Sequence, residues 1–269
     1  MIISGNSSVT RLTAAEPCRT TPMLRKSSWR QDSETGYLFN NAWQFMFCKS
    51  HLSTRTLLQC LRHTRIRLIG DSTMRQMFET IQNMFSSQWI TDTWSTGLKH
   101  RPAMCSNSAV NLTMSLELPP LPFCTHNAPR HYFKSFTAHL NSIAYNENTI
   151  IVLNIYSHFL NYHSHVVFEA IREMKLAVKS LLSRNAHAHV VIKGPHAYSF
   201  SRSTDHVIWM PDAYAEVYTK FLYEQFKDIH DRVVYLNALD ITIATEQWHI
   251  HSEDFIIQEL LSAMLQCVC

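Results

Sequence analysis

Arg65-Ile66-Arg67-Leu68-Ile69-Gly70-Asp71-Ser72-Thr73-Met74-Arg75-Gln76 is the stretch on which the fold turns. Residues 65–70 alternate charged and apolar side chains and stop at a glycine, the pattern of a β-strand. From Thr73 the period changes. Met74, Met77, Phe78, Ile81 and Phe85 fall on one helical face, so a helix is expected from Thr73 to about Phe85. Ser72 then stands at a strand-to-helix turn, where a hydroxyl projects from the sheet edge and unpaired N–H groups at the helix start can face an anion. Serine is a weak nucleophile until a base takes its proton and the developing oxyanion is held, and this position offers room for both. The ordinary role of such a triplet is a helix N-cap supplied by the Asp or the Ser. Arg75, one turn further on, either clamps an anionic substrate group or holds Asp71 and the turn in place.

The strand–helix alternation returns downstream. Thr149 to Ile155 is a near-continuous apolar run, typical of a strand buried on both faces. Val166 to Ser183 reads as a helix with Ile171, Met174, Val178 and Leu182 on its inner face, and Ala188 to Gly194 as a third strand. Pro211 and Asp212 can open a helix running to about Ile229. Arg232 to Asn237 reads as a fourth strand, and Glu253 to Leu265 as the last helix. Residues 1 to about 64 show no sustained period and read as an irregular segment with aromatic anchors at Tyr37, Phe39, Trp43, Phe45 and Phe47. Pro102, Pro119, Pro120, Pro122 and Pro129 interrupt residues 86–148, which read as a large loop-rich insertion. Strands alternating with helices imply right-handed βαβ units. The expected fold is therefore α/β, a three-layer α/β/α sandwich around a mostly parallel sheet. Functional groups in such sheets gather beyond the carboxyl ends of the strands. Gly70-Asp71-Ser72, Asn154 to His158 and Asp240 to His251 all converge on that edge.

Composition narrows the function. Apolar residues make up 46% and charged residues 17%, which supports a globular core. A net charge of +3, from 24 basic and 21 acidic side chains, gives no footprint for nucleic acid or for a polybasic membrane patch. No apolar stretch approaches the roughly 18–20 residues of a membrane-spanning helix. The first residues lack the apolar region of a signal peptide, which by itself suits a cytosolic hydrolase with free thiols. The seven cysteines point the other way, since none forms a C-x-x-C pair and loop cysteines suit an oxidising compartment. Their odd number leaves at least one unpaired or joined to another chain. Asn6-Ser7-Ser8 and Asn111-Leu112-Thr113 are N-glycosylation sequons. The expectation is a protein of the secretory pathway, in the Golgi lumen or outside the cell, whose upstream part with its signal sequence lies outside this chain. Sixteen histidines invite a metal reading, and His163/His165, His187/His189 and His249/His251 are His-x-His pairs. No cysteine or carboxylate repeats at ligand spacing beside them, so no metal is expected. With five glycines and no phosphate loop, no nucleotide cofactor is expected either.

Leu68 to Gln76 closely resembles the hallmark segment of the neurexophilin and PC-esterase (NXPE) family. Other segments resemble the same family in the same order: Phe47-Cys48 and Gln59-Cys60-Leu61 before the motif, Ile151 to Phe159 after the insertion, then Leu239 to Ala244, His251 and a terminal cysteine. The resemblance spans roughly residues 40–269, leaving 1–39 as an irregular N-terminal segment. It implies a PC-esterase-like domain, SGNH-hydrolase-like in fold, in a secretory or Golgi glycoprotein. Relatives of that kind remove or transfer acyl groups, typically acetyl, on carbohydrate hydroxyls. A glycan or glycoprotein acceptor, and for transfer an acyl donor, are the implied partners. Carried over by position, Ser72 is the nucleophile and His251 the base, while Gly70, Asp71 and Arg75 match the motif. For the oxyanion, Gly97 is the first candidate and Asn154 or the Tyr156-Ser157-His158 turn the second, with His158 as a supporting group.

The sequence departs from the family pattern at the acid, which is usually placed in Asp-x-x-His. Here that position is Trp248. Asp240 is the preferred substitute, with Glu246 and Asp254 as the other nearby acids and His249 as a rival base. Two readings follow: a serine-dependent acyl esterase or O-acyltransferase, and a secreted non-catalytic glycoprotein that keeps the hydrolase scaffold as a binding module. Cys267 and Cys269 can pair with upstream cysteines and pin the tail, in a connectivity that sequence does not fix.

Overall fold

The computed structural model describes residues 22–31, 34–40, 42–46, 54–85, 90–92, 101–120, 129–160, 162–198 and 212–269. Its strands are β1 Gly36–Phe39, β2 Ala42–Phe45, β3 Arg65–Ile69, β4 Ile90–Asp92, β5 Ala103–Asn107, β6 Leu112–Glu117, β7 Thr149–Leu153, β8 Ala188–Lys193 and β9 Val233–Leu236. Its helices are α1 Pro22–Ser28, α2 Thr54–Cys60, α3 Ser72–Met84, α4 Phe136–Asn141, α5 Ser164–Arg184, α6 Asp212–Phe226, α7 Ala238–Ala244 and α8 Asp254–Val268. Seven strands form the main sheet in the order β4-β5-β6-β3-β7-β8-β9. From β6 through β9 every neighbouring pair is parallel, while β5 runs antiparallel to both β4 and β6.

Side-chain alternation on these strands divides the interior into two cores. Ile66 and Leu68 of β3, Ile150 and Val152 of β7 and Val191 of β8 face α3 and α8, where Met74, Met77, Ile81, Ile257 and Leu261 complete one core. Ile69, Ile151, Leu153, Val190 and Ile192 face the other way, toward Val167, Ile171, Val178 and Leu181 of α5 and Leu222 and Phe226 of α6. The α/β/α sandwich expected from the alternation is the fold observed. Every residue of β7, a central strand, and of β9, at one edge of the sheet, is buried, so both faces of each are covered.

Two regions are more regular than their sequences suggest. The loop-rich insertion supplies β4, β5, β6 and α4, because Leu112, Met114 and Leu116 alternate with polar residues and the prolines at 119 and 120 begin only after the strand has ended. The N-terminal region supplies α1, the β1–β2 hairpin and α2. Nor does packing break at residue 39/40. Trp29 is buried, donates from Nε1 to Val233 O at 2.8 Å, and stacks on Phe226 and His230, while Tyr235 N donates to Ser28 Oγ at 2.8 Å. Phe47 lies outside the described residues.

A disulfide joins Cys60 to Cys269, fastening the end of α2 to the end of the chain. Cys105 and Cys267 are buried free thiols, and burial pushes both up to about 12, Cys267 despite the nearby charge of Arg25. Both thiols therefore keep their protons at neutral pH. Cys18, Cys48 and Cys124 lie outside the described residues.

Because Trp29 fills space between α6 and β9 and satisfies a strand carbonyl, Trp29→Ala is expected to lower stability by about 3–5 kcal/mol. Urea unfolding measures this, and an unchanged midpoint would mean that the segment before residue 40 contributes nothing to the body of the domain.

Candidate active site

In the sheet register Ile69 lies beside Leu153, and Leu153 beside Ile192, so the chain leaves β3, β7 and β8 at one level of one edge. The turn after β3 needs its glycine. A Cβ on Gly70 would overlap Met74 Cγ and crowd Asn154 Cβ at 3.1 Å, so only a bare backbone lets α3 start this close to β7. Asp71 is the N-cap of α3: its Oδ1 accepts from Thr73 N at 2.9 Å and from Thr73 Oγ1 at 2.8 Å. Ser72 is the first residue of the helix and is half-buried. Its Oγ lies 2.8 Å from His251 Nε2, a bond across 179 residues of sequence.

His251 sits in the connection between α7 and α8. Gln247, buried, donates from Nε2 to His249 O at 3.0 Å and to His251 O at 3.3 Å. His196 Nε2 lies 3.0 Å from Ile250 O, and Gln76 Nε2 donates to Ser252 O at 2.9 Å. Trp248 and His249 are exposed and lie against each other, ring centroids 3.4 Å apart, so His251 rather than His249 meets the serine.

Lys193, the last residue of β8, and the segment that follows it, Gly194-Pro195-His196-Ala197-Tyr198, are buried throughout. Asp71 stays ionised: burial opposes its charge, but His158, Lys193 and the two hydrogen bonds from Thr73 outweigh that and hold its carboxyl below the usual range. Burial pushes the Lys193 ammonium down to about 8, against the pull of Asp71. His196 goes down to about 3, mainly through burial and then through Lys193, so its ring is neutral at physiological pH. Burial drives the phenols of Tyr156 and Tyr198 strongly upward, so both stay protonated, and the Tyr198 hydroxyl pairs with Ser157 Oγ at 2.6 Å. Asn154 Oδ1, Tyr156 Oη and His196 Nδ1 are buried without a hydrogen-bond partner.

The remaining expected site residues divide sharply. Asn154 lies at the rim, donating from its backbone N to Ile69 O at 3.0 Å and from Nδ2 to Lys193 O at 3.3 Å. His158 is close enough for its charge to act on Asp71. Arg75 forms an ion pair with Glu79, Nε to Oε1 3.6 Å, one turn along its own helix. Asp240 is engaged by the segment before β1. Its Oδ2 accepts from Thr35 N at 2.7 Å and Thr35 Oγ1 at 2.8 Å, and it lines a surface cavity with Arg30, Glu216 and Lys220. The carboxylate at the first turn of α7 thus fastens the N-terminal hairpin, a demand that strand-end reasoning could not foresee. Glu246 is exposed in a left-handed turn at φ 49°, and Asp254 opens α8. Asn111, also at φ 49°, is exposed at the β5–β6 turn, its Nδ2 3.1 Å from His63 Nδ1. Gly97 and Asn6 lie outside the described residues. Among the described residues no group of three or more potential ligands could hold a metal ion.

Gln76, Lys193, His196, Tyr198 and Gln247 belong to this site but escaped the sequence reading. Gln76 stands inside the hallmark segment, and Lys193 to Tyr198 lie at and beyond the end of a strand that the carboxyl-end rule already covered. Gln247 gave no signal.

A mostly parallel α/β sandwich with a hydrogen-bonded serine and histidine over its carboxyl edge defines a class of scaffold shared with serine hydrolases. Within it, the family described as NXPE family member 4-like, C-terminal domain, matches residues 43–269, and the chain belongs to the NXPE family. No helix among the described residues is long and apolar enough to cross a membrane.

The buried neutral His196 makes acid stability a readout of this rim. Its folded value, about 3, lies below the ordinary 6.5, so its contribution is present above 6.5 and is lost as pH falls from there toward 3. Lys193, Asp71 and His251 face the same ring. His196→Gln is expected to flatten the stability profile in this window by up to one proton, ~1.4 kcal/mol per pH unit. Denaturant midpoints at stepped pH test this, and parallel profiles for wild type and variant would contradict it.

Proposed function

We propose that this protein is a serine-dependent acyl esterase or O-acyltransferase, with acetyl as the acyl group and carbohydrate hydroxyls as the site of action, working in the secretory pathway. The observation that carries the reading is the 2.8 Å approach of His251 Nε2 to Ser72 Oγ at the start of a helix on the sheet's carboxyl edge. Ser72 Oγ attacks the acyl carbonyl carbon while its proton passes to Nε2. The tetrahedral oxyanion faces the Ser72 N–H at the start of α3, with help from a second segment, since the N–H groups of Thr73, Met74 and Arg75 are already taken by Asp71. Collapse expels the alcohol or donor group, which takes the proton from His251, and leaves an acyl-serine. Water or a sugar hydroxyl then attacks that ester, its proton returning through His251, and Ser72 is restored. Hydrolysis and transfer differ only in the acceptor. The Cys60–Cys269 disulfide and the exposed sequon at Asn111 support the secretory assignment.

One observation favours a second reading. Trp248 occupies the usual acid position, and Asp240 is engaged by Thr35, which suits a secreted binding glycoprotein on a retained scaffold. Covalent chemistry separates the two. A serine-directed fluorophosphonate should label the peptide containing Ser72, and Ser72→Ala should lose both the label and acetyl release from 4-nitrophenyl acetate while keeping its fold. His251→Ala should slow release by about 10²–10⁴-fold. Equal turnover by Ser72→Ala would remove the catalytic reading and leave the binding module.

A further inference from the structure

We infer that Gln76, His196 and Gln247 form a clamp on the backbone that positions the His251 imidazole, an inference that rests on the proposed role of that histidine. The carbonyl oxygens of four consecutive residues, His249, Ile250, His251 and Ser252, are each met by a side-chain nitrogen. Carbonyls in a connecting segment ordinarily face water. Here the three side chains come from three places: α3, the segment after β8, and the connection itself. Gln247 also accepts from Glu253 N at 3.5 Å, closing the connection on itself up to the start of α8.

The origin of Gln76 gives the clamp its use. Ser72 and Gln76 are four residues apart on α3 and share one face. The same turn of helix thus carries the hydroxyl and grips the residue next to the base. Any drift of the connection relative to α3 breaks the Gln76–Ser252 bond, so the 2.8 Å serine–histidine distance is referred to one rigid element. His196 adds a fixed donor. With Nε2 bound to Ile250 O, the ring presents its proton there, and as a neutral group it does so throughout the physiological range. Clamped on both sides and at its own carbonyl, His251 keeps its backbone while Trp248 and His249 remain exposed. These three are positioning residues: they act on the backbone of the base and need no contact with substrate.

Gln76→Met keeps the length of the side chain and removes the donor. The expected result is a 10- to 100-fold fall in kcat for acetyl release with KM and melting temperature nearly unchanged, because displacing a reacting group by about an ångström costs about that much. Gln247→Met should act in the same direction, and the double variant should lose less than the product of the single losses, since both bonds hold one connection. His196→Gln, which keeps an N–H donor, should retain more kcat than His196→Leu. A second readout needs no turnover: ¹⁵N-labelled imidazole spectra should show one ordered His251 environment in wild type and an averaged one in Gln76→Met and Gln247→Met. Unchanged His251 signals in both folded variants overturn the clamp, whether or not the wild type is active. Changed signals support it, and if Ser72 in that same wild type resists fluorophosphonate, the catalytic reading fails while the clamp stands.

Discussion

The site depends on the register of three parallel strands. Because Ile69, Leu153 and Ile192 stand side by side, the chain must leave β3, β7 and β8 at the same height. A slip of one residue would turn every side chain of a strand to the opposite face and exchange the two cores. Ile66 and Leu68 would then meet the α5 side and Ile69 the α3 side. The cost of exposing or mispacking several buried aliphatic side chains, roughly 1.5–3 kcal/mol each, fixes the register far more firmly than any group at the rim could. The packing below the rim therefore decides where Ser72, Asn154 and Lys193 begin.

With that geometry fixed, charge can be held where it would otherwise be expelled. Asp71 and Lys193 are both buried, and each moves the other toward its ionised form. A lone buried ion costs several kcal/mol even after relaxation, so removing either partner would strand the other. The fold also satisfies Asp71 locally, through Thr73, which makes one side chain serve both as helix cap and as counter-charge. The N-cap role expected of such a triplet and the functional role proposed for it are therefore not alternatives. Asp71 caps, and by capping it sets the turn from which Ser72 projects.

Much of this architecture was legible because hydrophobic period reports burial directly. The runs at Arg65–Gly70, Thr149–Ile155 and Ala188–Gly194 matched their strands to within two residues, since strands buried on both faces or on one leave an unmistakable pattern. The Ser72–His251 approach was also anticipated, because both groups lie in segments following strands of one parallel sheet. What escaped were features set by partners distant in sequence. Trp29 reads as an isolated aromatic until β9 is beside it, and Asp240 reads as a rim carboxylate until Thr35 is seen to take it. Gln247 could not be read at all, because a glutamine's hydrogen bonds to the carbonyls of its own loop leave no period and no motif.

The departure at Trp248 bears on how much of a triad this site needs. A triad acid orients the imidazole and stabilises the imidazolium that forms during proton transfer. Within the proposed chemistry, the grip of Gln76, His196 and Gln247 on residues 249–252 performs the orienting task through neutral donors. It contributes little to the second task, because amides bound to backbone carbonyls add no negative charge near the ring. Negative charge at the rim comes from Asp71, already balanced by Lys193. Within that proposal, orientation, which a single carboxylate usually combines with charge stabilisation, rests on neutral donors alone. On that reading an exposed tryptophan can stand where the family pattern places an aspartate while the histidine keeps its bond to the serine.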